Sequence, residues 1–239
     1  MPQRLSEGIQ VSVSPPTQFF SLLTAVCIVF IVFSVVRIAQ AADFSCPRTP
    51  PSVQIRVHFE KPRPRYNNLL SREKIEAMMP RKEVGAHSVG LTKSELYWKV
   101  STSFTTTSRV GREEACVYLS HLTLDYGFGT TPVFIDRRYT PGSCPYKTIL
   151  QHENDHVAIL DREGRAIQNW LKQKLSAIAA SLPPTPSRAP KVTQKQLLAR
   201  IEQQTNPLFT TLKDRLASGH ARLDAPQNLE QTQKQCSKW

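Results

Sequence analysis

His152, Glu153 and His156 stand in an H-E-x-x-H spacing, with which little more than one helix turn can hold a metal ion and a proton acceptor together. Successive helical residues turn by about 100°. Residues four apart therefore point nearly the same way, about 6 Å apart along the axis, and two imidazoles can converge on one ion. Zinc suits such a donor pair, and the Glu153 carboxylate can take the proton of a water that attacks a carbonyl carbon. A catalytic site also needs a third protein donor and an open fourth position. The longer motif with a further Gly and His is absent, because Ile159 and Arg162 occupy those places. Glu163 shares the histidine face but lies roughly 10 Å beyond His156, too far to ligate, which leaves it a supporting or surface role. The third donor must come from downstream, where Glu202, His220 and Asp224 are the candidates.

Those side chains work only if a helix carries the motif. Ser143 can cap one, Pro145 suits its first turn, and Leu150, Val157, Leu160, Ile167, Leu171, Leu175 and Ile178 recur at helical spacing, which predicts one long helix through Ile178. Ahead of it, Val53, Ile55, Val57 and Phe59 alternate as on a strand, Pro62 and Pro64 predict a turn over Lys61–Arg65, and Ser71–Met79 predicts a short helix stopped by Pro80. Gly85 and Gly90 bracket a loop. Aromatic and β-branched residues over Leu96–Thr107 and Ala115–Phe128 predict a hairpin around Arg109–Glu114, and Pro132–Ile135 a third strand. The proline-rich stretch 181–190 reads as a stiff connector, Val192–Leu216 as a second helix, and the rest as a polar tail. The expected fold is α+β and zincin-like, a small antiparallel sheet packed on the active-site helix, with an edge able to take up an extended peptide. Residues 42–180 would form the catalytic core, and 191–239 would complete the domain.

The first 41 residues carry a different message. Phe19–Val36 is apolar and uncharged and is followed by Ala39-Gln40-Ala41, a small-x-small site; the length of the run and Arg37 leave open a cleaved signal peptide or a retained membrane anchor. Either places the remainder outside the cytoplasm: periplasmic, secreted, or anchored and facing outward. Cys46, Cys116, Cys144 and Cys236 are an even set in a disulfide-permissive compartment, so two disulfides are expected; three pairings are open, and Cys236 suits a staple that ties the tail to the body. A formal charge of +12 favours an anionic envelope surface or an acidic substrate, and no nucleic-acid-binding module accompanies it.

The chain resembles the bacterial family of predicted secreted zinc-dependent proteases. The likeness rests on strands leading to Cys116-Val117, an aromatic-rich approach to His152-Glu153-x-x-His156, a long helix, and a late His after a C-terminal helix. It implies zinc-dependent proteolysis and favours His220 as third ligand, after Asp214. Two departures stand out: Asp155 occupies a position usually Gly, and Gly219 precedes His220 instead of following it. Among the remaining candidates, His121, His58 and His87 fit half-buried packing roles. Tyr126, Tyr139 and Tyr146 flank the helix start and have the chemistry of an oxyanion donor, with aromatic packing the simpler reading of each. Asp155 and Asp161 can orient an imidazole through its free N–H. The sequence thus predicts an exported zinc metallopeptidase acting on peptide or protein substrates. Its rivals are a non-catalytic envelope-binding protein with a structural or vestigial zinc site and a zinc hydrolase of non-peptide substrates.

Overall fold

The alternation from Val53 to Phe59 produces the first strand, β1 (Gln54–Glu60), followed by β2 (Arg63–Asn67) and a short helix α1 (Arg72–Glu76). Then come β3 (Gly90–Thr92), β4 (Tyr97–Ser108), β5 (Ala115–Gly127) and β6 (Thr130–Ile135). The C-terminal half is mostly helical, with α2 (Cys144–Ala166), α3 (Gln168–Ala180), a short β7 (Thr185–Ser187), α4 (Pro190–Thr205), α5 (Leu208–Leu223) and α6 (Pro226–Gln233). The structure is a computed structural model and describes residues 44–47, 52–79, 88–108 and 113–239. The expected leader (1–41), His87 and part of the β4–β5 connection lie outside the described residues. Among the described residues, no helix is long and apolar enough to cross a membrane.

The fold is α+β, and its two sheets are mixed in direction. β5 is paired by β1 in parallel and by β4 and β7 antiparallel, while β6 is paired by β2 in parallel and β3 antiparallel. Parallel pairing needs a long excursion between partners, and both β1–β5 and β2–β6 have one. Lys61–Arg65, expected as a turn, instead enters β2. Pro64 is tolerated there because β2 is an edge strand whose missing N–H costs no ladder bond. Gly90, expected in a loop, opens β3. The segment 181–190 is not only a connector, since Thr185–Ser187 pairs with Val117–Ala115.

A bulge decides which side chains of β5 meet the core. Ser103 pairs with His121 but Phe104 pairs with Leu119, so Ser120 is the extra residue. Beyond it Leu122, Leu124 and Tyr126 are fully buried, while His121 turns outward. The long helix expected through Ile178 is broken at Ile167. The Tyr126 hydroxyl donates to the Gly164 carbonyl at 2.7 Å, which occupies the acceptor that the backbone N–H of residue 168 would use, and the Gln168 side chain donates through Nε2 to Val57 O at 3.0 Å. Gly164 is needed for that contact, because a Cβ there would collide with the Phe59 ring. The second expected helix, 192–216, is likewise two helices. Pro207 interrupts it, and Trp98 Nε1 donates to the Asn206 side chain at 2.8 Å at the break. The expected tail contains α6, held to the start of α2 by a Cys144–Cys236 disulfide; Cys46–Cys116 is the other pairing.

Two helices matter most for the site. Gly219 of α5 lies against Ile159 of α2, so closely that a Cβ would come within 2.8 Å of Ile159 Cγ2. One turn further along α2, the Glu163 carboxylate accepts from Arg162 Nε at 2.9 Å and from Arg215 Nε at 2.8 Å. Glu163 pairs with the earlier α5 residue and Ile159 with the later one, so the two helices run antiparallel. Burial alone would raise the Glu163 pKa, but the two guanidinium groups outweigh it and hold it below the ordinary value of 4.5. The unfolded chain then binds this proton more readily, so the pair contributes stability above the ordinary glutamate range that is lost as pH falls below it. Glu163→Gln is expected to flatten the pH dependence of unfolding stability below about pH 5, and to lower stability at neutral pH by about 1–3 kcal/mol. Urea midpoints across pH check this, and a slope equal to the parent's contradicts it.

Candidate metal centre

Ser143 caps α2 through its side chain, which accepts from Tyr146 N at 3.3 Å, and Pro145 sits in the first turn as expected. His152 and His156 then project from one face, rings in edge contact with centroids 4.8 Å apart. α5 crosses that face and delivers His220 and Asp224, themselves four residues apart. Asp224 Oδ1 lies 3.1 Å from His152 Nε2 and 3.1 Å from His156 Nε2. His220 Nδ1 lies 2.9 Å from His156 Nδ1. The centre is thus an extension of the helix contact: Glu163 with Arg215, Ile159 with Gly219, His156 with His220, His152 with Asp224.

These donors fit a small divalent ion. Among the described residues, His152, His156 and Asp224 each offer a ligand atom within 4.8 Å of the others. Tetrahedral zinc with bonds of about 2.0–2.1 Å sets its donors roughly 3.3 Å apart, close to the two separations from Asp224 Oδ1, while the group as a whole spans up to 4.8 Å. Two imidazoles and one carboxylate leave the fourth position of such an ion open. Of the three downstream candidates, Asp224 faces both Nε2 atoms, whereas His220 meets His156 at its Nδ1. With the His156 proton on Nδ1, that N–H donates to His220 and leaves Nε2 free as a ligand, so His220 orients a ligand in this arrangement. Glu202 is exposed on α4 and is not brought into the group.

The charges of the cluster are coupled. Burial would raise the Asp224 pKa, but hydrogen bonds to His152 and His156 outweigh it and hold the carboxyl well below the ordinary range. His152 is raised, chiefly by its hydrogen bond to Asp224 and against the effect of burial. His220 is lowered by burial and by the neighbouring His156, which keeps it neutral and able to accept.

The Glu153 carboxylate lies against β3. It is 4% exposed, and Thr92 Oγ1 donates to its Oε2 at 2.7 Å. Gly90 is required here, since a Cβ would collide with Glu153 Oε1 and come within 2.8 Å of Ile149 Cγ2. Burial raises the Glu153 pKa, opposed by the Thr92 hydrogen bond and by His156 and His152.

Other expected participants fall elsewhere. Asp155 accepts from Gln151 and Asp161 from Arg165, so neither orients an imidazole. Tyr126 is committed to Gly164, and Tyr139 packs edge-on to Trp239. Tyr146 stands in the first turn of α2, where its backbone N–H meets the cap. His58 is exposed beside Asp125. Thr92 and Arg215 were not singled out by the sequence, and Gly90 and Gly219 were noted only as a loop boundary and as the neighbour of His220, although a glycine inside a helical stretch, as at 219, is a signal of close packing. No family model, no characterised protein and no solved structure matches this chain, so the family resemblance stands on its motif alone.

The two α5 residues separate experimentally. Asp224→Ala is expected to weaken zinc binding by at least about 100-fold, as loss of a direct ligand, and His220→Ala by roughly tenfold, as loss of an orienting contact. Competition titration against a chromophoric chelator measures both. The reverse order would make His220 the ligand.

Proposed function

We propose that this chain is an exported zinc-dependent peptidase whose ion is held by His152, His156 and Asp224. The observation that carries this reading is the approach of Asp224 Oδ1 to 3.1 Å from the Nε2 atoms of both His152 and His156, beside a buried carboxylate on α2. Zinc held there supplies Lewis acidity, which polarises a carbonyl and makes water a better nucleophile near neutral pH. Glu153 is the general base: it takes the proton of the attacking water and passes it to the departing amine. Its raised pKa suits both transfers, because a carboxyl nearer neutrality is a stronger base and then a usable acid. Thr92 holds the carboxylate in place through Oε2, and the missing side chain at Gly90 leaves room for Oε1.

β3 supports a peptide substrate in preference to a small ester or amide. It pairs with β6 on one side and lies against the Glu153 turn of α2, so its other edge can receive an extended chain next to the reacting centre. The two disulfides are compatible with an oxidising compartment, and with the leader read from residues 1–41 they support export. Glu153→Gln is expected to retain bound zinc while lowering peptide hydrolysis by about 10²–10⁴-fold. Metal analysis and cleavage of a quenched peptide library measure the two together. Undiminished cleavage by this variant would remove Glu153 from the mechanism.

A further inference from the structure

A second concave site lies on the opposite side of α2. Its cavity, about 640 Å³, is formed between Lys61–Arg65 at the start of β2 and the α2 residues Asn154, Val157, Ala158, Asp161 and Arg165. At about 100° per residue, Asn154, Ala158, Asp161 and Arg165 are turned by roughly 180–240° from His152 and Val157 by about 140°, so the groove faces away from the metal donors. Strand alternation puts Lys61, Arg63 and Arg65 on one exposed face, with Pro62 buried between them. Two of the four cations lining the groove are neutralised: Arg63 pairs with Glu60 at 2.6 Å and Arg165 with Asp161 at 2.9 Å. Lys61 and Arg65 have no carboxylate partner among the described residues.

We propose that this groove docks an acidic segment of a polypeptide, with its carboxylates at Lys61 and Arg65 and an apolar side chain on Val157 and Ala158. Charge complementarity selects this occupant. Single-stranded nucleic acid would need aromatic faces for stacking, and none lines the groove. Pro62 and Pro64 deny the β2 edge two N–H groups, so the segment is read by side chains and not added as a strand. That the segment belongs to a substrate rests on the peptidase reading; the binding itself does not.

The test is fluorescence anisotropy of a labelled peptide alternating Glu with Leu, titrated with the purified full chain in detergent. Its controls are a Gln-for-Glu peptide and, for the lipid alternative, phosphatidylglycerol vesicles. The parent and Glu153→Gln are expected to bind the acidic peptide equally and to lose affinity steeply with salt, while Lys61→Ala with Arg65→Ala binds roughly tenfold more weakly. Equal binding of the Gln peptide, unchanged binding by the double variant, or a loss confined to vesicles would overturn the proposal. Retained peptide binding with no hydrolysis by the parent would leave the docking site intact and remove the peptidase reading.

Discussion

A hydrogen at position 219, where any other residue has a carbon, sets how closely α5 lies on α2. The 3.1 Å separations at the metal donors depend on that spacing, because His220 and Asp224 follow Gly219 on the same helix and reach His156 and His152 only if the axes are close. The Glu163–Arg215 pair fixes the same contact lengthwise, where a slip of one residue would carry Asp224 about 1.5 Å along the axis and turn it by about 100°. Beyond the site, the Cys144–Cys236 bridge ties α6, which follows Asp224, to the first turn of α2. Loop-closure entropy for that separation, lost from the unfolded chain, stabilises the fold by about 4–5 kcal/mol.

Glu153 depends on a second close approach, from the other side of the helix. β3 brings Gly90 and Thr92 against it, giving the carboxylate one hydrogen-bond donor and little water. A fully solvated glutamate would be a weak base at neutral pH, and one with several donors would be weaker still. One donor with burial is the balance that raises the pKa and keeps the group oriented. The two histidines and Glu153, the proposed base, thus sit on adjacent faces of one helix, each face shaped by a glycine on a different neighbouring element.

The H-E-x-x-H helix, its cap and most strands were legible because each is a local pattern: side chains four apart share a helix face, and Ser143 needs only the next turn to act as a cap. Which of the downstream candidates faces both histidines was not legible, for an equally physical reason. With the second helix read as ending at Leu216, His220 and Asp224 fall in a tail with no common face. Once Pro207 divides that stretch and α5 runs to Leu223, they become residues four apart on one helix, and the donor facing both Nε2 atoms is Asp224. The break at Ile167 was hidden because its cause, the Tyr126 hydroxyl on Gly164, is a tertiary contact that leaves the apolar periodicity intact. β2 was misread because a proline is forbidding only where its N–H would be used, and edge position is a property of the sheet.

The central claim is that two antiparallel helices bring two imidazoles and one carboxylate onto a single ion. X-ray absorption at the zinc edge, on the purified protein loaded with one equivalent, tests it most directly. The account predicts a four-coordinate site of nitrogen and oxygen donors at about 2.0–2.1 Å, with scattering from two imidazoles and no sulfur, lost in His156→Ala. A six-coordinate oxygen shell, or a spectrum unchanged by that substitution, would contradict it.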